Sequence, residues 1–355
     1  MKIIHLPTSV GGQAWHLAQA EKLLGFDSTV LTQDSNYLNY PADIQLDMQG
    51  HASSAKFLKL FKAFLDIRSG YDIYHFNWGT SLLTSRSLGL THLDLPFYPD
   101  SAKLFVTYNG CDARQKFPTI QRGGISACAE CQVKQCDSGR LDGVRQRGIE
   151  KMSRYVQHSW ALNPDLLNFL PTKNSSFLPY AVPVTNKLPQ WPSLNGPLKI
   201  VHAPTNRDIK GTHHLLHAVS KLDAKFPGEV ELVLVEGLSH AEALKQYAEA
   251  DLVVDQLLVG WYGGFAVEAM LLGKPVVVRI EENDLKFIQP DMARDLEHAV
   301  INTGPVGLYD TLLQCLGERD KLQSVARAGY EYALKWHAPR YVASLVIEKY
   351  NMASA

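Results

Sequence analysis

Apolar residues along the chain come in short blocks divided by turn residues, and the spacing inside each block predicts its element. Residues 2–6 form an apolar run ending in Pro7-Thr8-Ser9-Val10-Gly11-Gly12. Trp15, Leu17, Ala18, Leu23 and Leu24 then recur at helical spacing, so the chain opens as strand, glycine turn and helix. Gly25 caps that helix, and residues 28–32 supply a β-branched second strand that completes a βαβ unit. Further strands are predicted over 71–76 and 103–108, and helices over 57–67 and 143–155, with 177–179 ending this half. Residues 183–192 carry Pro183, Pro189 and Pro192 and no periodicity, which is linker chemistry. The predicted organisation is a first domain over 1–185, a linker over 186–197 and a second domain over 198–335. In the second domain, strands over 198–202, 230–235, 252–254 and 275–279 alternate with helices over 212–221, 240–248 and 265–272. Such alternation implies a parallel sheet covered on both faces. Helices over 309–316, 319–334 and 340–350 have no strands between them, and the last, within 336–355, is expected to cross back to the first domain. The predicted fold class is α/β, with two Rossmann-like doubly wound domains facing each other across a cleft.

A chain of 355 residues is long enough for two cores. Its 35 basic and 36 acidic residues balance, which argues against a nucleic-acid partner. No window approaches the length of a membrane span, and residues 1–6 are too short for a signal-peptide core, so a cytoplasmic protein is expected. Four of the five cysteines fall together: Cys111, then Cys128-x2-Cys131-x4-Cys136 in a basic insert over about 111–140. In a reducing compartment that spacing suggests a structural Zn²⁺ held by four thiolates. The alternative leaves Cys111 as an unbonded residue beside the active site.

Binding loops of parallel sheets lie at the carboxyl ends of strands. Gly11 and Gly12 precede a helix, where bare backbone lets an anion approach N–H donors, although an ordinary tight turn fits equally. The loop after 198–202 carries Arg207 and Lys210, suited to a diphosphate as fork and point charge, or else two solvated surface cations. Residues 258–277 read as a glycine loop with Gly263 and Gly264, a helix with Glu268 placed in its first turn, and a glycine stop before a buried strand. Glu268 can accept both vicinal hydroxyls of a ribose, or merely complement the helix dipole. There is no Asp-x-Asp triplet, so the cationic side chains are expected to replace a catalytic metal at the diphosphate.

Taken together, these segments resemble glycosyltransferase family 4 of the GT-B fold. The opening glycine pair with its helix, residues 71–76 and 106–112, and above all 263–277 carry the resemblance, which spans most of the chain. It implies a retaining, metal-independent transfer of a sugar from a nucleotide-sugar donor, UDP- or GDP-linked, to a glycan, lipid-linked or other glycoconjugate acceptor. By that resemblance Arg207 and Lys210 hold the diphosphate, Glu268 the ribose, and Gly11 and Gly12 close over the phosphates. Two positions depart from the family pattern. Gly260 stands where a second glutamate is frequent, leaving sugar contacts to Asp255, Gln256 or Tyr262. Asn109 stands in place of a frequent histidine and can hydrogen-bond sugar or acceptor but cannot act as a base. These departures keep open a catalytically silent nucleotide- or partner-binding subunit; the other alternative, a nucleotide-sugar 2-epimerase of the same architecture, needs additional acid and base carboxylates and histidines in the cleft that the sequence does not place. Finally, Lys56, Lys59 and Lys62 share one face of a helix with phenylalanines opposite. The reading prefers that the aromatic face packs on the sheet; the other reading lays this helix peripherally on the inner face of an anionic membrane.

Overall fold

The computed structural model describes residues 1–34, 40–84, 89–184 and 188–353, and the chain divides into two compact units. The first comprises Met1–Lys116, Lys134–Ala181 and the terminal segment from Pro339; the second comprises Phe117–Val133 and Val182–Ala338. The boundary expected at 185–186 falls on residues 185–187, which lie outside the described residues. Residues 117–133 cluster with the second unit, whereas the sequence reading placed the whole insert in the first domain. The physical reason is local: the Ala127 N–H donates to the Leu258 carbonyl at 3.1 Å, and Arg122 pairs with the buried Asp284 at 2.5 Å.

The first unit is a seven-stranded sheet of β1 (Lys2–Leu6), β2 (Asp27–Thr32), β3 (Ile44–Gln45), β4 (Ile73–Asn77), β5 (Lys103–Tyr108), β6 (His158–Ala161) and β7 (Ser175–Phe177). All pairs are parallel, in the order β3-β2-β1-β4-β5-β6-β7. The order reverses between β1 and β4, so the loops after those strands flank the topological switch point. Strands β3, β6 and β7 were not expected from sequence; two or three residues are too few to show a period, and the His158-Ser159 start of β6 does not read as an apolar run.

The second unit is a five-stranded parallel sheet of β8 (Leu198–His202), β9 (Val230–Leu234), β10 (Leu252–Val254), β11 (Val276–Val278) and β12 (Ile301–Asn302), ordered β12-β11-β10-β8-β9. Strands β10 and β11 are buried at every residue, which is why they read as unbroken apolar runs. The reversal here falls between β8 and β10. Leu198, Ile200, Leu252, Val254 and Val277 pack with Leu215 and Leu222 of one covering helix and Leu308 and Leu312 of another.

The terminal helix Pro339–Met352 belongs to the first unit's core. Its Val342, Ala343, Val346 and Tyr350 pack with Ile3, Leu17, Ile73, Phe105 and Trp160. Beneath them lies a fully buried polar chain. Ser28 donates to Glu21 at 2.6 Å, His5 Nε2 meets the same Glu21 oxygen at 2.9 Å, and His75 bonds both the Tyr350 hydroxyl and Thr107 Oγ1 at 2.6 Å. Burial, and then the neighbouring His5, holds His75 well below the usual imidazole range, while burial raises the Tyr350 hydroxyl well above the usual tyrosine range. These groups are therefore neutral struts of the core and not proton donors to a substrate. Tyr350→Ala is expected to remove both the ring packing and the hydroxyl, at about 3 kcal/mol or more by analogy with buried aromatic truncations. A urea-unfolding midpoint equal to that of the parent protein would contradict this account.

Candidate active site

In the second unit, the loops after β8 and β10 stand on either side of the switch point. Asn206 caps the short helix Arg207–Lys210, its side chain accepting from Ile209 N at 3.0 Å. Gly211 ends that helix at φ +76°, with Leu257 and Leu258 so close that a β-carbon there would lie 3.2 Å from the Leu257 β-carbon. Lys210 is thereby directed to Asp255, the first residue after β10: Nζ donates to Oδ1 at 2.6 Å, and Asp255 is fully buried. The other carboxylate oxygen accepts the Gly263 N–H at 2.6 Å. Gly263 is the residue before the helix Gly264–Leu271, and a β-carbon on it would start 3.3 Å from Lys210 Nζ. One ammonium, one carboxylate and one helix-terminal amide thus share a small volume.

A pin below keeps the two strands in step. His202, at the end of β8, donates from Nδ1 to the Val254 carbonyl at 2.7 Å, which leaves Nε2 to accept from Thr212 Oγ1 at 2.9 Å. Burial lowers this imidazole to about 4, consistent with the neutral tautomer that the two partners require.

The remaining expected donor residues are engaged with other partners. Arg207 forms a fork with Glu236, just past β9, at 2.9 and 2.5 Å, and this pair is substantially exposed. Glu268 is the fifth residue of its helix, one turn beyond the start and not in the first turn as read from sequence. Its carboxylate meets His240 Nε2 at 2.6 Å. Asp255, Glu236 and His240 were the residues whose roles sequence reading missed. Asp255 and Glu236 stand just past the carboxyl ends of β10 and β9, a position that was the available signal, whereas His240 is the first residue of the helix His240–Ala248.

The three sugar-contact candidates divide differently. Asp255 is held by Lys210 and Gly263, and Gln256 Nε2 donates to the Trp261 carbonyl at 2.7 Å. Tyr262 is fully buried, its hydroxyl bonded to Tyr332 at 2.7 Å and His337 at 2.9 Å, so it is a core residue and the expected sugar contact is corrected. Gly260 has φ +86°, and a β-carbon there would lie 2.9 Å from that of Glu281. A glutamate at this position is sterically excluded.

In the first unit, Gly11 and Gly12 follow β1 with φ +60° and +71°. A β-carbon on Gly12 would meet the Tyr40 ring at 2.6 Å and His16 at 2.9 Å, whereas Gly11 faces open space. Asn109, just past β5, accepts the Trp78 N–H at 3.3 Å, and its own N–H donates to Asp112 at 3.0 Å. It therefore braces the loop after β4, in which Trp78 and Gly79 both have positive φ.

The cysteines do not form the expected quartet within either unit. Cys111 and Cys136 belong to the first unit, while Cys128 and Cys131 travel with residues 117–133 in the second; none of the four is in a disulfide. Among the described residues, the one group of three or more side chains with metal-binding atoms close together is Glu130, His213 and His214.

No protein-family model matches the chain, and no curated protein matches it in sequence. Solved structures share its fold, which is that of GT-B glycosyltransferases. Sucrose-phosphate synthase from Thermosynechococcus elongatus is similar with a TM-score of 0.64 and 17% identity, covering 99% of both chains. HepE of Anabaena, in complex with UDP-glucose, has a TM-score of 0.63 and 12% identity over 100% of both. A UDP-GlcNAc 2-epimerase from Neisseria meningitidis, bound to UDP-GlcNAc, has a TM-score of 0.53 and 12% identity, covering 98% of this chain and 99% of that one.

The hydrogen bond to Glu268 raises the His240 imidazole above its usual range, with burial opposing it. The pair's stabilisation is therefore complete below about pH 6.5 and lost as pH rises through the elevated folded value. In a proton-resolved NMR titration, His240 should titrate higher than a free imidazole, and Glu268→Gln should return it towards about 6.5. An unchanged midpoint in the variant would show that the contact does not set the charge.

Proposed function

We propose that this chain is a retaining, metal-independent glycosyltransferase using a nucleotide-sugar donor, with the donor diphosphate bound at the loops after β8 and β10. The observation that carries the reading is the Lys210–Asp255–Gly263 cluster at the topological switch point. A diphosphate there meets the Lys210 ammonium and the amides opening Gly264–Leu271, while Asp255 keeps the lysine extended. Glu268 takes the ribose hydroxyls as His240 gives way, and Arg207 is recruited from Glu236. In the transfer, the bond from the anomeric carbon to the diphosphate breaks and a bond to the acceptor oxygen forms on the same face. The acceptor's proton passes to the departing phosphate, so the protein's part is positioning and charge stabilisation. UDP-sugars are favoured over GDP-sugars because two similar folds carry UDP-linked ligands.

Incubation with UDP- and GDP-sugars plus glycan or lipid-linked acceptors tests the assignment. Transfer with retained configuration supports it; a changed sugar without transfer identifies an epimerase, and binding without turnover a silent subunit. Lys210→Ala is expected to weaken UDP binding roughly 10- to 100-fold, the loss of one charged hydrogen-bonding partner. A folded variant that binds UDP within twofold of the parent removes Lys210 from the site.

The acceptor is proposed to be lipid-linked. In the helix Ser53–Ile67, Phe64 is buried against Tyr98, yet Phe57, Leu58, Phe61 and Leu65 are exposed beside Lys56, Lys59 and Lys62. The sequence reading's preference, an aromatic face packed on the sheet, thus holds for Phe64 alone. No described helix is long and apolar enough to cross a membrane, so this surface would act peripherally. Flotation with anionic vesicles should be lost in a Phe57→Ser, Phe61→Ser double variant. Equal flotation of parent and variant refutes the membrane contact.

A further inference from the structure

We propose that Glu130, His213 and His214 form a binding site for a divalent transition ion, Zn²⁺ by ligand chemistry, that fastens residues 117–133 to the helix Thr212–Lys225. Glu130 Oε2 lies 3.2 Å from His213 Nε2 and 2.9 Å from His214 Nε2, and Oε1 lies 3.2 Å from His214 Nε2. Two imidazole nitrogens and a carboxylate are a common donor set for zinc. Tetrahedral ligands around this ion sit about 3.4 Å apart, and the three ligand atoms already lie within 4.8 Å of one another, with the carboxylate within a few tenths of an ångström of that spacing to each nitrogen.

The convergence itself is informative. Successive residues of a helix point about 100° apart and do not ordinarily meet at one partner. Here the His213 and His214 ring centres lie 3.9 Å apart, at the first turn of their helix, and both turn to the same carboxylate. Two imidazolium ions at that distance would repel, whereas two neutral rings can direct both lone pairs at one cation. The cation faces the positive end of the helix dipole, a small opposing term that the Glu130 charge offsets. His217 follows His213 by four residues, on the same helical face, and is exposed; it or water supplies a fourth ligand. All three primary ligands retain solvent exposure, so the ion has a path of entry.

The mechanical consequence follows from what the segment already holds. Residues 117–133 reach the second unit through Ala127 N–H to Leu258 and through Arg122 to Asp284. The Gln132 N–H also donates to Asp208 at 3.4 Å, and Glu130 adds an attachment made of side chains that a metal can ligate. Glu130 ends the short helix Ala127–Glu130, and its partners begin two residues after the Gly211 turn. Zinc would close the segment down beside the loop that carries Lys210.

The test uses the full chain with Zn²⁺ itself. Dialysed protein should bind about one equivalent of Zn²⁺ in competition with a colorimetric chelator. Zinc should also slow limited proteolysis within 117–133. Glu130→Gln with His213→Asn and His214→Asn should abolish both effects, while Cys128→Ser with Cys131→Ser should leave both in place. Co²⁺ loaded in place of zinc should give ligand-field bands without thiolate charge transfer. Three outcomes overturn the proposal: no stoichiometric binding by the parent protein, binding that survives the triple variant, or a thiolate band that disappears with the cysteines. A melting curve for each variant, read without metal, separates loss of binding from loss of fold.

Discussion

The Asp255 carboxylate, buried at the carboxyl end of β10, is the constraint on which the second unit's site depends. A buried charge is tolerable only when paired and hydrogen-bonded. Lys210 and the Gly263 N–H meet that demand from opposite sides of the switch point, so the loop after β8 and the start of Gly264–Leu271 are tied to one anion. Charge that would otherwise disperse into solvent is thereby held in place before any ligand arrives. Preorganisation of this kind is what makes a cation effective against a developing phosphate charge.

The same logic explains why several polar groups that look reactive on paper are not part of the site. His75, Tyr350, Glu21 and His5 form an internally hydrogen-bonded chain in the core of the first unit. Tyr262, Tyr332 and His337 do the same in the second. His202 is fixed in one tautomer by a carbonyl on β10 and a hydroxyl on the following helix. Most of these bonds join residues far apart in sequence, up to 275 positions for His75 and Tyr350, while His5 Nδ1 and Glu21 Oε1 stay buried without a partner, so the networks tie elements of each core together at some cost.

Legibility from sequence follows burial. The apolar runs of β1, β4, β5, β8, β10 and β11 announced a doubly wound sheet, because both faces of those strands are covered. Edge strands of two or three residues, such as β3 and β12, carry no period and were invisible. Lys210, Gly263 and Glu268 could be named because loop, glycine and helix stood in order along the chain. Their partners could not: Asp255 lies 45 residues from Lys210, Glu236 lies 29 from Arg207, and His240 lies 28 from Glu268. Pairings at that separation are set by strand order, which no local window contains. Residues 117–133 illustrate the limit most directly, since their attachment to the second unit rests on contacts with residues 208–284 and on nothing within the segment itself.

Gly260 shows how one backbone angle can decide what a site is able to contain. With φ at +86° and Glu281 packed against it, this residue admits no side chain, and its carbonyl accepts the Glu281 N–H at 2.9 Å. Glu281 is in turn paired with Arg279, whose guanidinium also reaches the Leu258 carbonyl. The loop after β10 is thus braced from β11's side by a carboxylate that belongs to another strand end. A glutamate contributed from within the loop would have to displace that brace, so the absence of one at position 260 is a property of the loop's conformation and not a simple loss of a functional group. Any acidic contact to a bound sugar in this protein must therefore come from outside position 260, and the conformation that excludes it there is the one that places Gly263 against Asp255.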